Sequence, residues 1–322
     1  MNAEGPHISS TFRGFVDARA VLRRHSLRPD KRLGQNFLVD PAGLERIVEA
    51  ADLAPSDTVL EIGAGVGTLT ARLAHEVSQV IAVELDARLI PPLTEVVGGL
   101  ANVRVIQADI LRLDLTPLIG DESFRVVANL PYQITSHLVR RLMEMPRGPD
   151  RVVLTLQAEV VDRLVATAGE MSLLALSVQV YGVARRMAVL PAGAFFPFPQ
   201  VDSAVVRIDR HPQPAIPADL LPLFFRLARA GFQQRRKQLR NALAAAIGQA
   251  PAAVTRLLAQ ASIRPEGRAQ ELTLADWERL ARVLVAEQGE GTTSARVGVG
   301  SVAVGPSGGG QLPVHEEHLP HT

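Results

Sequence analysis

Apolar residues follow two rhythms along this chain. From Thr58 to Ile208, short runs rich in β-branched residues alternate with stretches of helical periodicity; the runs are Thr58–Ile62, Val80–Glu84, Val103–Ile106, Phe124–Ala128, Val152–Leu156 and Ala204–Ile208. That alternation predicts parallel strands joined by helices that cover both faces of a sheet. From about Leu220 to Glu287 the strand-like runs stop, and apolar positions such as Leu223, Leu227, Leu239 and Leu243 recur at helical spacing. The proline-dense segment His211-Pro-Gln-Pro-Ala-Ile-Pro217 lies between the two regimes and predicts a linker. After Gln288 the sequence turns to Gly, Ser, Val and His, with too few large apolar side chains to offset the entropy of ordering. The expected fold class is therefore α/β: a doubly wound, mostly parallel sheet over residues 19–210 and a small C-terminal all-α domain over 211–287. A flexible extension (1–18) and a disordered tail (288–322) are expected to flank them.

Composition narrows the picture. Apolar residues make up 47% and charged residues 21% of 322, an ordinary globular balance. There is no cysteine, which excludes disulfides, thiolate metal sites and cysteine nucleophiles, and no metal site is expected. The N-terminus lacks the charged start and apolar core of a signal peptide, and no run approaches a membrane span, so a soluble cytoplasmic protein is expected. Net charge is only +1, but its distribution is uneven. Between Leu220 and Pro251 there is no acidic residue, while Arg226, Arg229, Arg235, Arg236, Lys237 and Arg240 all fall there; Arg23, Arg24, Arg28, Lys31 and Arg32 form a second cluster. Solvated helix faces and phosphate-tracking patches both fit these runs.

Candidate chemistry sits at the strand ends, where open α/β sheets bind ligands. The segment from Val59 to Thr70 passes from a strand through Gly63, Gly65 and Gly67 into a helix. Glycines there let the backbone turn tightly and approach a ligand at a helix N-terminus. The dinucleotide fingerprint places its third glycine three residues after the second; here it follows after two, which favours an S-adenosyl-L-methionine site. Glu84 ends the next strand, placed to accept from both ribose hydroxyls, and Asp109 follows the third, placed to accept from an adenine amine. Taken singly, each is as easily a helix cap or surface charge.

After the fourth strand comes Asn129-Leu130-Pro131-Tyr132. An exocyclic adenine amine is a poor nucleophile because its lone pair is delocalised into the ring. Acceptors aimed at its hydrogens, the Asn129 side-chain oxygen and a carbonyl near Pro131, favour the pyramidal geometry that in-line methyl transfer requires. Pro131 restricts Leu130 to extended backbone, and Tyr132 offers a face on which an extruded base can stack. Further on, Phe195-Phe-Pro-Phe-Pro199 sets aromatic rings on a stiff loop, with Phe195 the first choice for closing the other face of the base pocket. For Phe196 and Phe198, stacking and core packing both remain open.

With these residues assembled, the sequence resembles the KsgA-type ribosomal RNA adenine dimethyltransferases from about Val21 to Ala286. The likeness rests on six motifs in order: Lys31-Arg-Leu-Gly-Gln-Asn-Phe-Leu-Val-Asp40, Glu61-Ile-Gly-Ala-Gly65, Val83-Glu-Leu-Asp86, Asn129-Leu-Pro-Tyr132, Phe195-Phe-Pro-Phe-Pro-Gln-Val-Asp-Ser203 and Gln234-Arg-Arg-Lys237. The resemblance implies a Rossmann-like class I methyltransferase domain with cofactor contacts at Asn36, Leu38, Gly63, Glu84, Asp109 and Asn129; Asn36 and Leu38 come from the resemblance alone. It implies dimethylation of two adjacent adenosines in the 3′-terminal hairpin of small-subunit ribosomal RNA, a role in ribosome biogenesis and binding to the immature small subunit; a monomer is expected. The macrolide-resistance enzymes that modify large-subunit RNA are similar to a lesser degree. Phe232-Gln-Gln-Arg-Arg-Lys-Gln-Leu-Arg-Asn241 and Arg268-Ala-Gln-Glu-Leu-Thr273 resemble the KsgA-type C-terminal domain instead. One departure stands out: Met171-Ser-Leu-Leu-Ala175 replaces the family's usual Tyr-Gly-x-Leu-Ser stretch.

Overall fold

The structure, a computed structural model, describes residues 14–120, 122–130 and 134–294, with side chains as far as Glu287. Nine strands are described: β1 (Phe37–Leu38), β2 (Thr58–Ile62), β3 (Gln79–Glu84), β4 (Val103–Gln107), β5 (Arg125–Asn129), β6 (Arg151–Gln157), β7 (Gly182–Leu190), β8 (Phe195–Phe196) and β9 (Ser203–Arg210). Seven form one sheet in the order β4-β3-β2-β5-β6-β9-β7, and β1 pairs with β8 separately. The first five are parallel, while β9 runs antiparallel to both β6 and β7. The strand order reverses between β2 and β5, which opens a crevice at their carboxyl ends.

The strands read as continuous apolar runs because both faces are covered. In β2, Leu60 and Ile62 enter one hydrophobic cluster while Val59 enters the other. Local chemistry places the helices. Asp40 accepts from the Gly43 amide (2.9 Å) and Pro41 occupies the first turn of the helix Pro41–Ala51, which ends at Asp52 in the left-handed region (φ 47°).

Two expectations change here. The sequence pattern missed β7, an edge strand whose centre is Arg185–Arg186 and whose register slips between Arg186 and Ala188, so its apolar alternation is broken. The helical region is also joined to the sheet rather than built on its own core. Phe224, Leu227, Leu243, Leu257, Trp277 and Leu284 belong to the same cluster as Leu60, Leu154 and Val178. The segment read as a linker is tied down: Ala215 donates to the Val180 carbonyl (2.7 Å), His211 to that of Tyr181 (2.8 Å), and Ile216 is buried.

The flanks differ too. Phe15 and Val16 pack against core clusters, and the Thr68 hydroxyl donates to the Val16 carbonyl, so the chain is held before residue 18. The last helix, Leu274–Ser294, continues past Gln288. The first thirteen residues, Pro131, Tyr132 and the remainder of the expected tail lie outside the described residues. No single helix among the described residues is long and apolar enough to cross a membrane.

Candidate functional site

The crevice is built from the glycine turn outward. Gly63, Gly65 and Gly67 all adopt positive φ (75°, 61° and 90°), a region other residues enter only with strain. A Cβ on Gly65 would sit 3.2 Å from the Phe37 ring, so the turn also needs glycine for space. The amides of Gly63 and Ala64 donate to the Val83 carbonyl (2.8 and 3.2 Å), which pins the turn to the end of β3. There Glu84 takes one backbone donor on each oxygen: Gly65 on Oε2 and Asp86 on Oε1, both at 2.8 Å. Burial raises its pKa, against the lowering effect of these amides. Each oxygen keeps further lone-pair capacity, and Glu84 lines the cavity.

The segment from Lys31 to Asp40 wraps over this turn. Gln35 clamps it, accepting from the Asp30 amide and donating to Asp86 Oδ2, both at 2.8 Å. Arg88 hydrogen-bonds both oxygens of Asp86 and, with help from Gln35, holds that carboxyl down to about 2. The clamp delivers the Asn36 carbonyl to Asn129, whose Nδ2 donates to it at 3.1 Å, and β1 then pairs Leu38 with Phe195. Since Nδ2 of Asn129 is committed to Asn36, its Oδ1 is the acceptor end of the amide.

Asp109, just past the end of β4, also lines the cavity, its Oδ1 accepting from the Leu111 amide (3.0 Å). A cavity of about 200 Å³ is lined by Asn36, Leu38, Gly63, Glu84, Asp109 and Asn129, so all six cofactor residues expected from the sequence converge. It is also lined by residues to which the sequence assigned no role. Glu61 is 1% exposed with Oε2 unpartnered, and burial together with the Glu84 charge pushes its carboxyl up to about 8. Leu85, Ala108 and Ile110 add an apolar wall.

Other expectations are modified. Phe195 lines the cavity but is 1% exposed, locked among Leu38, Leu44 and Leu190, so its ring forms wall and presents no open stacking face. Phe198, at 67%, is the exposed aromatic of that loop. Arg235, Arg236 and Lys237 are exposed, yet they occupy the turn between helices Leu221–Gln233 and Leu239–Ile247 rather than a helix face. The departure at Met171–Ala175 has a local role: Ser172 caps the helix Leu173–Gln179 by accepting from the Ala175 amide (2.9 Å), while the amides of Gly169 and Met171 donate to the Gln270 carbonyl.

A family model described as ribosomal RNA adenine dimethylase matches residues 26–285. The chain belongs to the ribosomal RNA adenine dimethylase family. Among its relatives, a Ribosomal RNA small subunit methyltransferase A of Dehalococcoides mccartyi is 44% identical, the match covering 84% of this chain and 93% of that one. One of the same description from Alkaliphilus metalliredigens is 36% identical over 84% and 96%. Among solved structures, the 23S rRNA methyltransferase ErmE is 28% identical, with a TM-score of 0.64 over 78% of this chain and all of that one. A dimethyladenosine transferase from Plasmodium falciparum shares the fold, with a TM-score of 0.68 at 24% identity over 79% and 98%. The fold is thus the Rossmann-like class I methyltransferase architecture with a C-terminal helical region. The family match covers neither terminal segment.

Proposed function

We propose that this chain is an S-adenosyl-L-methionine-dependent methyltransferase that dimethylates the N6 amines of two adjacent adenosines in the 3′-terminal hairpin of small-subunit ribosomal RNA. The observation that carries the reading is the orientation of Asn129 at the cavity. Its amide nitrogen donates to the Asn36 carbonyl, and its oxygen is left as a hydrogen-bond acceptor at a cavity that Glu84 also lines.

The residues fit the cofactor. Glu84 offers acceptor capacity for a ribose diol, Leu85 and Ile110 supply apolar surface for a base, Asp109 Oδ2, paired at 3.6 Å with the exposed Arg112, keeps acceptor capacity for its amine, and the unpartnered Glu61 Oε2 gives the cavity a buried polar atom. When bound, the cofactor supplies an electrophilic methyl group on a sulfonium. Asn129 Oδ1 accepts a hydrogen bond from the target amine, draws its lone pair out of conjugation and orients it for in-line attack. A carbonyl near Pro131 is proposed as a second acceptor, with Tyr132 stacking on the base. Phe195 supports the pocket wall, and the exposed Phe198 takes over the outer stacking role. No charged base is required, since the alkylated ammonium is acidic enough to lose its proton readily.

The exposed Arg235, Arg236 and Lys237 are proposed to contact RNA phosphates, and the substrate is proposed to be the immature small subunit, bound by a monomer in the cytoplasm. The likeness to ErmE gives a second reading, methylation of large-subunit RNA. Relatives at 36–44% identity described as small-subunit methyltransferases favour the first. Tritiated methyl transfer to unmethylated small subunits, large subunits and naked RNA in parallel tests the choice. Incorporation into small subunits is expected; incorporation confined to large subunits overturns it.

A further inference from the structure

Arg141 joins two parts of the site that are distant in sequence. It lies on the helix Thr135–Glu144, which follows the Asn129 strand end and buries Leu138, Val139, Leu142 and Met143 in the core. Its guanidinium reaches across to the loop after β4, where Nη1 donates to the Ile110 carbonyl at 2.7 Å and Nη2 donates to the Leu113 carbonyl. That loop carries Asp109. From within, it is closed by the Asp109 carbonyl, which accepts from the Arg112 and Leu113 amides at 2.9 Å, and by Asp109 Oδ1, which accepts from Leu111. The Ala108 amide moors it to the Glu84 carbonyl (3.0 Å). Arg141 is therefore a brace from the acceptor side of the cavity, where Ile134 also lines the wall, to the side that holds Asp109 and Ile110. A planar fork of donors suits two carbonyls on one turn; a lysine ammonium would reach them only as a mobile point charge.

We propose that Arg141 is a positioning residue which sets Asp109 against the exocyclic amine of the cofactor's adenine and so determines how well the site tells adenine from a base lacking that amine. The proposal rests on the reading of Asp109 as the acceptor for that amine. Asp109 Oδ1 is occupied within the loop and Oδ2 has the exposed Arg112 Nε 3.6 Å away, so recognition depends on where Oδ2 is held, and both Asp109 and Arg112 sit on the turn that Arg141 grips. A positional error of the order of an ångström at a directed hydrogen bond costs far more than general loosening of the fold. It also costs selectively, because only a ligand carrying the amine loses a partner.

Calorimetry on the full chain tests this, using S-adenosylhomocysteine and S-inosylhomocysteine, which differ at the position of that amine. The quantity read is the ratio of the two dissociation constants in wild type, Arg141→Met, Arg141→Lys and Asp109→Ala, well below each protein's thermal transition. Wild type should prefer the adenosine ligand. Asp109→Ala should lose the preference, Arg141→Met should lose most of it, about fivefold or more, and Arg141→Lys should recover part. In the double variant, Arg141→Met should add nothing to the ratio once Asp109 is gone. If Arg141→Met lowers thermal stability and weakens both ligands equally, leaving the ratio intact while Asp109→Ala abolishes it, Arg141 is only structural and the proposal is wrong. A ratio unmoved by Asp109→Ala would instead overturn the reading of Asp109, and the proposal with it.

Discussion

Replacing Asn129 with alanine removes the group on which the proposed chemistry depends. In the structure its amide nitrogen is fixed by the Asn36 carbonyl at 3.1 Å, so its oxygen is preorganised rather than free to swing. Loss of one preorganised hydrogen-bonding group at a reacting centre costs on the order of 3 kcal/mol, and each 1.36 kcal/mol is a factor of ten, so the bound-state rate should fall roughly a hundredfold or more. A second, smaller effect follows from the half-buried Asn36 carbonyl, which loses its donor at about 1 kcal/mol of local stability. Asn129→Asp separates the two: an acceptor remains, but a carboxylate oxygen now faces the Asn36 carbonyl, so orientation is lost and the rate should still fall. The assay is single-turnover methyl transfer at saturating subunit and cofactor, with cofactor affinity measured by calorimetry. Near wild-type transfer by Asn129→Ala at saturation would show that Asn129 is a turn residue and that the acceptor mechanism is wrong.

Glu84→Ala should do the opposite, raising the cofactor dissociation constant before it touches the saturated rate; a lowered rate with unchanged affinity would contradict the ribose assignment. Glu61 gives a pH signature. Its carboxyl is raised from 4.5 to about 8, so the folded state prefers it protonated: its contribution to stability is full below the ordinary value and is lost as pH rises toward 8. Thermal melts should show this decline in wild type and a flatter profile in Glu61→Gln; identical profiles would refute it. A Cβ on Gly231 would lie 2.7 Å from the ring of Trp277, the single tryptophan, and 3.1 Å from Ala269 Cβ. Gly231→Ala should therefore cost about 1–3 kcal/mol, and an unchanged Tm followed by tryptophan fluorescence would argue against this packing. Alanine at Arg235, Arg236 and Lys237 should weaken subunit binding by about 1 kcal/mol or more and flatten its salt dependence while leaving cofactor affinity alone; an unchanged slope would mean they do not contact phosphates.

Legibility followed the range of the interactions involved. Strands β2 to β6 and β9 could be read because β-branched runs buried on both faces leave a strong local signal, as did the glycine turn and the carboxylates at strand ends. The β1–β8 pair could not: it is two residues long on each side and joins Phe37 to Phe196. The same holds for Gln35 on Asp86 and Arg141 on the loop after β4, contacts between residues whose spacing carries no periodicity. Phe195 looked available for stacking because a proline-flanked aromatic loop reads as exposed, whereas pairing with Leu38 draws its ring into the core. The helical region looked separate because the change in periodicity is sharp, but one continuous cluster crosses that boundary.

Nucleoside mass spectrometry of RNA from unmethylated small subunits, incubated with the purified protein and S-adenosyl-L-methionine, reads out the proposed reaction itself. The expected product is N6,N6-dimethyladenosine at two adjacent positions of the 3′-terminal hairpin, with four methyl groups transferred per subunit. Absence of dimethyladenosine from that hairpin, or its appearance only in large-subunit RNA treated in the same way, would contradict it.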